Sequence, residues 1–195
     1  MKINAIELLE DLQSRTLHQA TIVRCFITRD DSDLRYKADS ESWSVLECIA
    51  HLNCYYTFYL PLLREALSKS TPHKGVIVFK TGFLGNYFVR LMETESDKVK
   101  KMKAVPAMNP NHTILQRDEL SLFIEYQSEF TALLNLCKAY DISAPTIPTV
   151  LSKWVTLSLG DTLRFIVAHN ERHLLQAQNR LLTIPVMSSE KSVIA

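Results

Sequence analysis

Two histidines four residues apart, His169 and His173 in the run Ala168-His169-Asn170-Glu171-Arg172-His173, are the side chains whose type and spacing point most directly to chemistry. On a helix such positions lie one turn apart on one face, within reach of a single ion. Their stripe adjoins the apolar line Leu163, Ile166, Asn170, Leu174, Ala177 and Leu181, so both imidazoles belong at the edge of a core and not in open water. Two readings of the pair stand at this level: ligands of one metal ion, or polar residues at a core edge. A third imidazole, His51, has Cys48 and Tyr55 as neighbours on the inward side of its own helix. A bundle that brings two helices face to face would let His51 complete a three-histidine set. Taken alone, His51 reads equally well as a core-edge histidine held by a hydrogen bond. Neutral imidazoles favour first-row ions, here zinc or nickel ahead of iron, over magnesium or calcium, which prefer oxygen. Three protein ligands leave positions for water or substrate, as in catalytic and not in closed structural sites.

The other candidates carry less. Gln176, three residues after His173, is in reach of a ligand imidazole but also reads as a surface glutamine. Glu171 and Arg172 point away from the histidine stripe by about 100° and more. His18, His73 and His112 have no partner at ligand spacing, and Lys98, Lys100, Lys101 and Lys103 read as a solvated basic run that could attract carboxylates. Tyr55, Tyr56 and Tyr59 belong mostly to the core. No G-x-S-x-G elbow occurs, and Asn170 stands where a zincin H-E-x-x-H helix has its glutamate, which disfavours peptidase chemistry of that type.

Four helices must position these residues. From Ala5 to Thr28 there is no Gly or Pro, and apolar residues recur at helical spacing. Ser44 and Glu47 form a capping box that opens a second helix at 44–67, with Trp43 in the staple position facing Cys48; Pro61 is expected to kink it or end its first part. Residues 70–112 hold three of the four glycines together with Pro72, Pro106 and Pro110, a long crossover with a short helix at 83–92, wrapping outside the bundle, so the second and third helices need not be simple antiparallel neighbours. A third helix is expected over 113–140. An irregular or briefly extended connection follows over 141–160, and Asp161 is expected to cap a fourth helix at 161–182. The amphipathic stripes predict a single all-α domain over 1–184, an up-and-down four-helix bundle, with a frayed tail over 185–195.

Composition agrees with a compact domain. Of 195 residues, 47% are hydrophobic and 22% charged, and 22 Lys and Arg against 21 Asp and Glu leave a net charge of +1, which provides no field for nucleic acid or an anionic membrane. No apolar run is long enough for a membrane span, and Glu10 and Asp11 come too early for a signal h-region, so the cytoplasm is the expected compartment. Cys25, Cys48, Cys54 and Cys137 never form C-x-x-C and read as reduced thiols.

The segment Trp43-Ser44-Val45-Leu46-Glu47-Cys48-Ile49-Ala50-His51-Leu52 and the segment from Leu159-Gly160-Asp161 through His169-Asn170-Glu171-Arg172-His173 to Gln176 resemble the two signatures of the DinB-like superfamily. Lys80-Thr81-Gly82-Phe83-Leu84-Gly85, leading to Lys101-Met102-Lys103 and Pro110, resembles the crossover of some of its members. The resemblance implies a four-helix bundle in which one histidine of the second helix and an H-x-x-x-H pair of the fourth hold a divalent ion; those positions are His51, His169 and His173 here. Related families include YfiT-like metal-dependent hydrolases and transferases that use low-molecular-weight thiols such as bacillithiol, with the mycothiol-dependent maleylpyruvate isomerase more distant. The expected function is therefore a metal-dependent enzyme that activates a small thiol for S-transfer or a water for hydrolysis, with a homodimer implied by the family. The alternative is a non-catalytic metal-binding protein of stress response or interaction.

Overall fold

A computed structural model describes residues 2–73, 78–93, 103–110 and 114–185. The bundle is built from α1 (Ala5–Ile27), α3 (Val45–Ser68), α5 (Asp118–Cys137) and α6 (Leu159–Leu182). A short α2 (Asp31–Arg35) links the first two, and the crossover contributes β2 (Val78–Lys80), α4 (Phe83–Met92) and a 3-10 turn at Pro106–Met108. β2 pairs antiparallel with β1 (Lys2–Asn4), while β3 (Thr146–Thr149) and β4 (Ser152–Ser158) form an antiparallel hairpin before α6. The connection expected to be irregular or briefly extended is thus extended, as a hairpin, in keeping with its β-branched residues.

α1 and α3 each pack on both α5 and α6. Direction follows from side-chain partners. Asn53 near the start of α3 bonds Glu119 at the start of α5, and Arg64 further along pairs with Glu129, so these two helices run parallel. Lys138 at the end of α5 reaches Glu10 near the start of α1, and Arg180 near the end of α6 reaches Trp43 just before α3, so those pairs are antiparallel. The order is up, down, down, up, which corrects the simple up-and-down expectation. The cause is the crossover. α3 is 24 residues long, about 36 Å at helical rise, and the chain from 69 to 117 is long enough to return to the end where α3 began.

Local chemistry fixes the helix ends. The Ser44–Glu47 capping box is formed in both directions, with Glu47 N–H donating to Ser44 Oγ at 3.2 Å and Ser44 N–H to a Glu47 carboxylate oxygen at 2.7 Å. α3 runs on through Pro61, whose ring lies on the exposed face; only one backbone donor is lost there, and water can satisfy the freed carbonyl. α5 starts at Asp118 instead of 113, its two first-turn acids suiting the positive end of the helix. Arg117, just before it, donates to the carbonyls of Ile27 and Arg29 at the end of α1.

α6 begins two residues earlier than expected. Ser158 is its cap, accepting from Asp161 N–H at 3.1 Å, and Asp161 serves a second purpose. Its carboxylate accepts from Gly82 N–H at 2.8 Å, at the entrance of α4, and pairs at 3.0 Å with Arg164, both side chains being buried. α4 lies against α6 so closely that a Cβ on Gly85 would fall 2.2 Å from Asp161 Cγ, and one on Gly160 would fall 2.5 Å from the Phe79 ring. The glycines of the crossover motif are there for packing. All four cysteines are free thiols, as expected.

Candidate metal centre

His51 comes from the second turn of α3, and His169 and His173 from the middle of α6, at the place where the two antiparallel helices face each other. One ring nitrogen of each lies within 4.8 Å of the others. The Nε2 atoms of His51 and His169 are 3.2 Å apart. Two imidazoles on one ion at about 2.1 Å would place their nitrogens about 3.0 to 3.4 Å apart for angles between a right angle and the tetrahedral value. Two of the far ring nitrogens are held as they are in known metal sites, where the far N–H of a ligand imidazole has an oxygen partner, while His169 Nδ1 is buried with no hydrogen-bond partner among the described residues. His51 Nδ1 donates to the Met108 carbonyl oxygen at 2.6 Å, and His173 Nδ1 donates to Gln176 Oε1 at 3.0 Å. Each neutral ring carries one proton, so both of these histidines present a lone pair at Nε2.

Aromatic rings set the orientation. Tyr55 stacks on His169 at 4.1 Å between centroids, with Phe165 near-parallel to it at 5.5 Å. The Trp43 indole lies 4.7 Å from His51 and 5.6 Å from His173. This wall dries the cluster: His51 and His169 are 2% and 3% exposed, while His173 is half-buried and marks the accessible side. Burial lowers the imidazole pKa, to about 4 for His51, to about 3 for His173, and well below the usual value for His169, where the other two imidazoles add to the effect. All three are therefore neutral at physiological pH, the state in which they can ligate. Protons compete for the same lone pairs only at those depressed values. Zinc retention measured by equilibrium dialysis should accordingly stay level from pH 7 to about 5 and fall as pH approaches 4, and not near the ordinary histidine value of about 6.5.

Among the described residues no carboxylate belongs to the cluster. Glu171 is turned to α1, where Arg15 binds it through two nitrogens at 2.7 and 2.6 Å. Asn170 faces the bundle axis: its amide donates to Tyr56 Oη at 2.6 Å and to Gln19 Oε1 at 3.0 Å. With Gln127 donating to the same Gln19 oxygen, each of the four bundle helices contributes one member to a buried polar knot. Asn170 thus holds the helices together and takes no part in the histidine site. Tyr56 and Tyr59 are core residues as expected.

The three predicted histidines are brought together; His18 lies on the exposed face of α1, and His73 sits on the chain after α3, hydrogen-bonded through its backbone to Ala139. His112 and Lys98, Lys100 and Lys101 lie outside the described residues, as does the tail from 186. Sequence reasoning missed two parts of the site. Trp43 looked like a helix staple but also roofs the imidazoles. The Met108 carbonyl is a backbone atom delivered by a distant turn, which no residue type announces, although Pro106 and Pro110 bracket that turn.

No helix of the described residues is long and apolar enough to cross a membrane. Among solved structures, YfiT from Bacillus subtilis, described as a "probable metal-dependent hydrolase with an unusual four-helix bundle topology", matches at 18% identity and a TM-score of 0.47, covering 90% of this chain and 83% of that one. No curated protein matches the chain significantly. The family model of the DinB superfamily matches residues 7–177, a span that holds all four bundle helices except the first two residues of α1 and the last five of α6, and every histidine of the cluster. The chain belongs to the DinB superfamily.

Proposed function

We propose that the protein is a metal-dependent enzyme in which His51, His169 and His173 hold one divalent ion, zinc or nickel, and that it activates a low-molecular-weight thiol for transfer to an electrophile. The observation that carries the reading is the convergence of three neutral imidazoles within 4.8 Å, two of them held through their far ring nitrogens, with no carboxylate in the cluster among the described residues. The ion supplies, when bound, a Lewis-acid centre that lowers the pKa of a thiol or water. His51 and His173 keep their lone pairs aimed at a common point because Met108 and Gln176 hold the opposite nitrogens. Trp43, Tyr55 and Phe165 exclude water, and half-buried His173 leaves one side for a small substrate. Hydrolysis would ordinarily call on a nearby carboxylate as general base. The two that flank or could have flanked the motif do not serve: Glu171 is engaged by Arg15, and the zincin glutamate position is Asn170, committed to the polar knot.

The test is metal content of untagged protein, followed by turnover of monochlorobimane with several small thiols, with and without added zinc or nickel. Stoichiometric metal and metal-dependent conjugation by one thiol are expected. Metal-dependent ester hydrolysis without conjugation would replace the transferase reading by the hydrolase one. Stoichiometric metal with neither activity would leave a metal-binding module.

A further inference from the structure

We infer that Arg180 anchors an acidic group of the substrate, so that the centre takes a small molecule with a metal-seeking end and a carboxylate end. This rests on the metal-centre reading and extends it to substrate class. His173, Gln176, Arg180 and Thr183 follow one face of α6, and Gln176, Asn179, Arg180 and Thr183 line a shallow pocket of about 160 Å3. Gln176 joins the two places directly, since its Oε1 holds His173 while its side chain lines the pocket. Arg180 is tied to the same wall: its Nε donates at 3.1 Å to the carbonyl of Trp43, whose ring roofs His51 and His173. Side chains on a helix lean toward its N-terminus, which carries the guanidinium back toward the imidazoles from a Cα about 10 Å along the axis from that of His173.

Arg180 is half-buried, and among the described residues no carboxylate pairs with it. Its terminal NH2 groups make no hydrogen bond to a described side chain, and they present the planar fork that suits a carboxylate. The amide groups of Gln176 and Asn179 and the hydroxyl of Thr183 supply further polar partners, and none of the described residues that line the pocket is acidic. A neutral three-imidazole set leaves the charge of a divalent ion uncompensated by protein. A positive centre beside an unpaired arginine selects an anion.

The experiment uses the full chain loaded with cobalt(II) and a series of ω-mercaptoalkanoates of two to five methylenes, each matched with its ω-mercaptoalkanol. Binding is read by sulfur-to-cobalt absorption and by calorimetry; hexanoate, which lacks the thiol, is read by calorimetry. At least one mercaptoalkanoate should bind about tenfold or more tighter than its alcohol. Arg180→Gln, which keeps a donor for the Trp43 carbonyl, should erase that preference and leave the alcohol's affinity and the cobalt spectrum unchanged. Arg180→Lys should retain part of it. Equal affinity of acid and alcohol in the unaltered protein, or a preference that survives Arg180→Gln, overturns the inference. Arg180-dependent binding of hexanoate with no thiol signal keeps the anion subsite and removes the thiol reading. Absence of cobalt binding removes the metal reading, and Arg180-dependent calorimetric binding of hexanoate to the metal-free chain then decides the subsite by itself.

Discussion

His51→Ala, His169→Ala and His173→Ala should each reduce zinc affinity more than a hundredfold, while His18→Ala leaves it unchanged. Loss of partners outside the ligand set typically costs about 10–100-fold in metal affinity, and Gln176→Ala, which frees His173 Nδ1, belongs to that range. Removing a ligand nitrogen itself must cost more. Competition against a chromophoric chelator orders the variants: His173→Ala well below Gln176→Ala, and both below His18→Ala. His169 is buried beside Tyr55 and Phe165, so its truncation also opens a cavity and folding must be followed separately. Melting without metal gives the packing cost, and the rise in midpoint on adding zinc gives the binding term alone. Well-folded single variants at all three positions that still held stoichiometric zinc would remove the three-histidine site.

The histidine site was legible because each of its signals is local. H-x-x-x-H fixes two rings on one face by helical geometry, and the Ser44–Glu47 box sets the start of α3, hence the face on which His51 lies. What one helix offers another was harder to read. Helical periodicity names the buried face but not the neighbour, so the parallel course of α3 and α5 could not be read from their stripes, only permitted by the length of the crossover. Thr113 to Arg117 contain no helix breaker, so the sequence alone starts the third helix too early; tertiary contact decides at its entrance, where Arg117 spends its donors on the end of α1. The β3–β4 hairpin is only partly legible: β-branched residues indicate extended chain, but nothing local gives the pairing, and Pro148 is compatible with it because a two-stranded edge tolerates a proline that an interior strand would not. Asp161 carried the largest hidden content. At the start of a helical pattern it reads as a cap, and nothing local tells that it also serves a glycine 79 residues earlier in the chain.

That double duty makes Asp161→Ala the most damaging substitution expected outside the histidines. The change removes the acceptor of Gly82 N–H and of Ser158 Oγ–H and leaves the Arg164 guanidinium, 8% exposed, without its partner at 3.0 Å. Breaking a buried pair by deleting one member costs about 3–5 kcal/mol, most of it the penalty for an uncompensated buried charge. For a chain of this size that lowers the melting midpoint by on the order of 10 °C. If the stranded charge is the cause, Asp161→Ala with Arg164→Met should recover much of the loss, because an apolar side chain of similar length has no such penalty. The part not recovered measures the two hydrogen bonds at the entrances of α4 and α6, each on the order of 1 kcal/mol. Gly85→Ala attacks the same joint sterically, since its new methyl would overlap the Asp161 side chain, and it should destabilise even with the ion pair intact. Asp161 lies two turns before His169, so below the lowered midpoint each variant should bind zinc as the unaltered protein does. A double variant no more stable than Asp161→Ala alone would show that the bonds to Gly82 and Ser158, and not the pairing with Arg164, are what hold α4 to the entrance of α6.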